Sequence, residues 1–412
     1  MMLVKERNRD NLLLLLVVTD ILLLPYFNLL VIPMSYVIIL FWAYINRKRI
    51  FSDYEIKAVL LCMVLMLIST MFGCIINYEY GIIGDNIKRL LQYYMVFGYY
   101  FFFKYNLDKK KINLKMLLWC FIIFVLILGI IYQMNVSAFV RITSIWNKGN
   151  AYNSAMITNS LFGYTNRYNF IWTDANNIAY AITGITMFLL IYFKTALFEK
   201  LALFFINIYI LVLCMSSGGW IGWGISWGLY IIYAIKNKKI INRYISKKQL
   251  LFSFVGMVVL ILVLTSGVIS SFTNSDVVSA AVDRFQNNQE SRTEIWLKIL
   301  RGDNILKYIF IGKGSEIIVN GVNRATHSGH LYWIYAYGFI SYGIVLKKMF
   351  WPGVRNVKAF IPIISFFLCF TMNTMVGEQK LFIILIMLIC YMRKELFSNE
   401  EGTVGEYSNT SV

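Results

Sequence analysis

The stretch NRATHSGHLYW (323–333) carries both histidines of the 412-residue chain, His327 and His330, one helical turn apart and just after Arg324. Imidazoles at that spacing can ligate a metal or move a proton. No cysteine or carboxylate stands near enough in sequence to complete a tetrahedral shell, which makes metal binding the weaker reading. A general base is the better one, because imidazole titrates near neutral pH. Thr326 or Ser328 can cap a helix that begins at about residue 329. The positive helix end and Arg324 both disfavour imidazolium there, keeping His327 able to accept a proton. His330 falls inside the helix and reads as structural.

A second chemical feature is where the arginines lie. The topology argued below leaves 13 of the 39 basic residues outside, seven of them arginine: Arg89, Arg141, Arg167, Arg284, Arg292, Arg301 and Arg324. Topology requires positive charge of either kind, so an arginine excess on the disfavoured side needs another cause. Guanidinium forks bind phosphate oxygens bidentately and stay charged. A lipid-linked diphosphate at the outer leaflet would suit them, with Arg284 and Arg292 the leading pair. The competing explanation is pairing with headgroups or with Asp283, Glu290 and Glu294.

A third feature is RYNFIWTDANNIAYAI (167–182). Asp174 fits an N-cap, which by itself explains it. Asn176 and Asn177 in the following turn offer amides to sugar hydroxyls, and Tyr168 and Trp172 offer faces for stacking. Interfacial aromatics are common for structural reasons, and that is the default for these two. In MSSGGWIGWGISWG (215–228) the small residues read as close helix packing.

The elements that hold these residues must be membrane helices. The chain is 59% hydrophobic with mean hydropathy +0.63 and 15% charged, more apolar surface than a soluble domain hides. The pattern predicts an all-α polytopic membrane protein, about 12 transmembrane helices with a large extracytoplasmic loop containing short helices. The expected spans are 11–25, 27–45, 57–76, 87–104, 115–134, 175–193, 200–216, 219–235, 249–271, 329–346, 358–376 and 380–392. The first is a retained helix with no small-x-small cleavage site after it. Residues 1–412 form one integral membrane domain, with 135–174 a first extracytoplasmic loop and 272–328 a larger one. Within the larger loop Ile295, Trp296, Ile299 and Leu300 mark a short amphipathic helix. Basic clusters such as KNKKIINRYISKK place both termini in the cytoplasm by the positive-inside rule. The net charge of +18 is split among these clusters, so it reads as topology and nucleic acid is not an expected partner. The six cysteines lie within or at the ends of apolar runs as small core residues.

Energy supply narrows the chemistry. No Walker loop, dinucleotide fingerprint or thiol redox pair is present, and no cofactor is expected. A synthetic reaction on the outer face then needs a substrate that arrives activated.

With that ordering, the chain resembles the O-antigen polymerase and O-antigen ligase superfamily of bacterial surface-polysaccharide enzymes. The resemblance rests on Arg284, then Ser291-Arg292 with Trp296, then Phe310-Ile311-Gly312-Lys313-Gly314, then His327-Ser328 and YAYGFISYG. Upstream, Asp174-Ala175-Asn176-Asn177-Ile178-Ala179 is similar to the family's D-P-N-x-x-A, and Ser216-Ser217-Gly218-Gly219 echoes its turn. The family's proline is Ala175 here, its turn arginine is missing, and the asparagine after the histidine is Ser328. The missing arginine favours polymerase over ligase. The resemblance implies metal-independent glycosyl transfer in the bacterial inner membrane, at its periplasmic face. A growing glycan would pass from undecaprenyl diphosphate to a new lipid-linked repeat unit. Arg284 and Arg292 would hold the diphosphate, and His327 would orient or deprotonate the acceptor hydroxyl. Arg89, Arg167, Asp174, Asn176, Asn177 and Arg324 would contact substrate. Expected partners are undecaprenyl-diphosphate-linked oligosaccharides, the bilayer and a chain-length regulator protein. The alternatives are the ligase, which hands glycan to lipid A core, and a lipid-linked oligosaccharide flippase. A flippase should line its path with ionisable residues inside the spans, of which Asp20 is one of few.

Overall fold

A computed structural model describes residues 2–24, 26–27, 32–76, 83–107, 112–144, 166–172, 174–236, 309–314, 317–319, 322–324, 328–351, 356–373 and 375–407. The chain is mostly helical. It begins with α1 (Met2–Leu23), a minimal hairpin of β1 (Tyr26–Phe27) and β2 (Ile32–Pro33), α2 (Tyr36–Ile45) and α3 (Arg47–Ser52). Then come α4 (Tyr54–Ile76), α5 (Ile83–Asn106), α6 (Leu114–Met134) and α7 (Val136–Thr143). The second half holds α8 (Ala175–Tyr192), α9 (Leu197–Cys214) and α10 (Ser217–Lys236). A second hairpin, β3 (Ile317–Val319) and β4 (Val322–Arg324), precedes α11 (Gly329–Val345), α12 (Val357–Met372) and α13 (Gln379–Tyr407).

Among the described residues, four helices are long and apolar enough to cross a membrane: α4 over Tyr54–Ile75, α6, α8 and α9. Shorter apolar helices accompany them at Asn11–Leu23, α2 and α12. The four differ in what surrounds them. On α4, Val64, Leu67, Ile68, Met71 and Phe72 are exposed, an apolar face of the kind that lipid covers. In α8 every residue from Asn177 to Leu190 is buried. A helix apolar on all sides belongs at the centre, and α8 touches α6, α9, α10, α12 and α13. Two of its buried polar side chains find a partner on α9: Asn207 donates to Thr186 Oγ1 and accepts from Thr183, both at 3.2 Å. Small residues allow this packing, since a Cβ on Gly184 would strike the Phe366 ring and one on Gly222 the Tyr180 ring.

Three expected elements are corrected. The run 27–45 is not one helix. Its described part is a hairpin strand and the ten-residue α2, which rises about 15 Å, half a hydrocarbon core. Pro33 lies in β2, ahead of α2, where its missing amide hydrogen costs no helical hydrogen bond. The run 329–346 is helical but broken at Gly338, which takes φ +82°, ψ 161°. The last helix continues well beyond 392, to Tyr407. The loop expected over 135–174 opens with amphipathic α7, whose Phe139 and Val140 pack on α6 while Arg141 is exposed. The run 249–271, the amphipathic segment near 295–300 and residues 145–165 lie outside the described residues.

Long-range hydrogen bonds define two ends of the bundle. At one end Lys104 of α5 meets Asp53 (2.6 Å) and Glu55 (2.8 Å), and Glu55 also takes Arg393 of α13 at 2.5 Å. Lys115 pairs with Glu199 at 2.8 Å, and Lys358 with Glu395 at 3.2 Å. Burial alone would raise the Asp53 carboxyl. Hydrogen bonds from Lys104, the Ile56 amide and Tyr105, together with the Lys104 charge, outweigh that and hold it at about 2.

At the other end a buried cluster joins the two termini of the bundle. Lys380, 1% exposed, donates to the main-chain oxygens of Asp20 (2.8 Å) and Leu24 (2.5 Å), with the Asp20 carboxylate at 3.8 Å. The second Asp20 oxygen accepts from the Ser35 amide at 2.6 Å, and Tyr26 donates to Glu378.

Candidate functional site

At the same end as the Lys380 cluster, three helix ends meet around Asn176. Asp174 caps α8, accepting from the Asn176 amide at 2.8 Å. Asn176, in the first turn, turns its side-chain oxygen toward two donors: Arg167 at 2.7 Å and Ser216 Oγ at 2.7 Å. Ser216 in turn accepts from the Gly219 amide at 2.9 Å, which starts α10. The turn between α9 and α10 is made by Met215 in the left-handed region (φ 46°, ψ 44°). Arg167 Nε donates to the terminal carbonyl of α9, Cys214 O, at 2.9 Å. That places a cation on the negative end of a helix. One terminal guanidinium nitrogen of Arg167 has no hydrogen bond among the described residues.

Asn177 extends the cluster inward. It is buried, and its side-chain oxygen accepts from Asn373 Nδ2 at 2.8 Å. Asn373, at the end of α12, uses its main-chain oxygen to accept from the Gly329 amide at 3.0 Å. Gly329 is the first residue of α11, which Ser328 caps through its hydroxyl and the Leu331 amide at 3.4 Å. A chain of polar contacts thus runs from Arg167 across the starts of α8, α10 and α11. What it can do chemically is hold an anion or hydroxyl-rich ligand against a partly exposed guanidinium in a rigid frame.

The structure therefore brings together Arg167, Asp174, Asn176 and Asn177. Asn177 uses its side-chain oxygen in internal bonds, and Asn176 faces Arg167 and Ser216. Arg89 sits on α5, donating to Gln92 at 3.2 Å. The backbone of Arg324 is in β4, opposite Ile317. Arg284, Arg292 and His327 lie outside the described residues. Among the described residues no group of three His, Cys, Asp or Glu side chains could hold a metal.

His330 has the structural place expected of it. Its Nε2 is 3.1 Å from Phe367 O, a group that only accepts, so Nε2 carries the proton. Nδ1 then accepts from Tyr342 at 2.7 Å, and both nitrogens are used. Tyr168 and Trp172 are buried in aromatic clusters with Tyr132, Phe139, Phe121 and Phe170, so packing explains them too.

Sequence reasoning missed Asn373 and the roles of Glu378 and Lys380. Each was visible as a polar residue beside an apolar run. Their partners lie about two hundred to three hundred and fifty residues away, a separation no local pattern reports.

The chain matches no protein-family model, and no curated protein matches it in sequence.

Proposed function

We propose that this chain is a polyprenyl-diphosphate-dependent glycosyltransferase of the surface-polysaccharide polymerase type. In this reading it crosses the bacterial inner membrane about twelve times, with both termini cytoplasmic. The observation that carries the reading is convergence. Asp174–Asn177, Ser216–Gly219 and Ser328, far apart in sequence and each in a motif of the resemblance, are joined through Arg167, Asn373 and Gly329 into one cluster at one end of the bundle. The apolar run 249–271 supplies the crossing between α10 and α11, which start at the same end. Arg284 and Arg292 hold the donor diphosphate and stabilise the charge that develops as the anomeric bond breaks. His327, directly before the Ser328 cap, takes the proton from the acceptor hydroxyl. Arg167 contacts the glycan or diphosphate, and Asp174 and Asn177 hold the frame.

The transporter reading gains from one observation: Asp20, Glu378 and Lys380 are all buried among helices, where intramembrane ionisable groups often serve transport. The two readings separate in one experiment. Purified protein is given lipid-linked repeat units, and the products are separated by size. A polymer ladder is expected from wild type, with yield falling about 100-fold or more in His327→Ala and Arg292→Ala. No ladder from wild type rejects the polymerase. A ladder undiminished in both variants rejects the site.

A further inference from the structure

The segment 309–314 is non-helical backbone lodged between α4 and the two halves of α11. The Lys313 amide donates to Tyr335 O at 2.8 Å and the Gly314 amide to Ala336 O at 2.6 Å. In return the Phe339 amide donates to Ile309 O at 2.6 Å and the Ile340 amide to Phe310 O at 3.4 Å. These are the main-chain groups on either side of the break at Gly338. Ser69 of α4 donates to Ile311 O. Gly312 (φ +90°) and Gly314 (φ +66°) approach Ala336 O and Ser69 O so closely that neither has room for a Cβ.

This turn sits at membrane depth. Ser69 lies within Tyr54–Ile75, the part of α4 able to cross a membrane. Tyr335 is about 9 Å along α11 from its first residue. Irregular backbone at such depth persists where protein satisfies it, and such places commonly bind charged groups. The turn presents one charge, Lys313, partly buried between the two glycines. Its Nζ lies 6.0 Å from the centre of the Tyr335 ring and has no hydrogen bond or ion pair among the described residues. Beside it Phe310 and Ile311 are exposed, 62% and 52%. A cation next to an exposed apolar tip matches a ligand with an anionic head and a hydrocarbon tail.

We propose that Lys313 is a contact for the phosphate of a polyprenyl-linked diphosphate whose tail lies along Phe310 and Ile311. The inference rests on the lipid-linked-substrate reading above. Bulk anionic headgroups share this chemistry, so the test must distinguish the two sources.

Full-length protein in phosphatidylcholine nanodiscs is titrated with undecaprenyl diphosphate that carries no sugar. Wild type is expected to bind saturably, Lys313→Met about tenfold more weakly, and Lys313→Arg nearly as well as wild type. Phosphatidylglycerol at the same mole fraction is expected not to compete. In wild type the diphosphate is also expected to protect Lys313 from an amine-reactive acylating reagent, a readout that needs no variant. Unchanged binding in Lys313→Met, absence of protection, or equal competition by phosphatidylglycerol would each overturn the proposal. No acceptor is present, so a failed polymer ladder with Lys313-dependent binding rejects the polymerase alone. The converse result rejects this contact alone.

Discussion

The two ion clusters use the same chemistry in opposite surroundings. Around Asp53, Glu55, Lys104 and Arg393 the side chains keep 15–26% of their surface exposed, and the pairs are short and several. Around Asp20 and Lys380 the exposures are 3% and 1%, and the charges stand 3.8 Å apart, with main-chain carbonyls accepting hydrogen bonds from the ammonium. In the wet cluster water can replace any partner, so each pair contributes little. In the dry cluster no replacement is at hand, and a single missing partner strands a buried charge. The dry cluster also closes the bundle, tying α1 and the first hairpin to α13. Burial decides which of two similar charge groups the fold depends on, and the number of ion pairs does not.

The largest effect is expected at Lys380. Lys380→Met should destabilise the protein by about 3–5 kcal/mol by leaving Asp20 unpaired, read as a lowered unfolding midpoint in detergent. Adding Asp20→Asn to that variant should recover part of the loss. A double variant no better than the single one would show that the pair is not what matters there.

A smaller effect separates geometry from charge. Gly338→Ala puts a Cβ at φ +82° and against Phe310 O, at a conformational cost of about 1–3 kcal/mol. Because no charge is involved, the loss should not change with salt, measured as midpoints at low and high ionic strength. A loss that salt abolishes would mean the turn 309–314 is held electrostatically.

The smallest effect belongs to the wet cluster. Asp53 titrates at about 2 when folded, below its ordinary 3.8, so its contribution is complete above about pH 4. It is lost as pH falls toward 2. Screening at this partly exposed site limits the loss to less than ~1 kcal/mol. Midpoints measured across that range should fall less steeply in Asp53→Asn than in wild type. Equal slopes would place the acid sensitivity elsewhere.

Much of the candidate site is legible locally. Asp174 and Ser328 announce themselves as caps, because a short oxygen-bearing side chain before an apolar run has one obvious use. His330 reads as structural because it lies inside such a run. The break at Gly338 is not legible in the same way. YAYGFISYG averages to a smooth apolar span, and glycine permits positive φ without requiring it. What forces the break is the arrival of 309–314, which supplies partners for the freed amides and carbonyls. Likewise 27–45 reads as one apolar span, although Pro33 interrupts it.

Residue order alone shows that most of this chain is apolar helix, where several helices start, and which side chains carry charge into or beside them. Those properties follow from composition, periodicity and capping, all of them short-range. It took the folded arrangement to show that α8 is the central helix, that Asn373 joins Asn177 to the start of α11, and that Lys380 returns to Asp20. Each is a contact between residues distant along the chain, fixed by how helices pack and by the requirement that buried polar groups find partners.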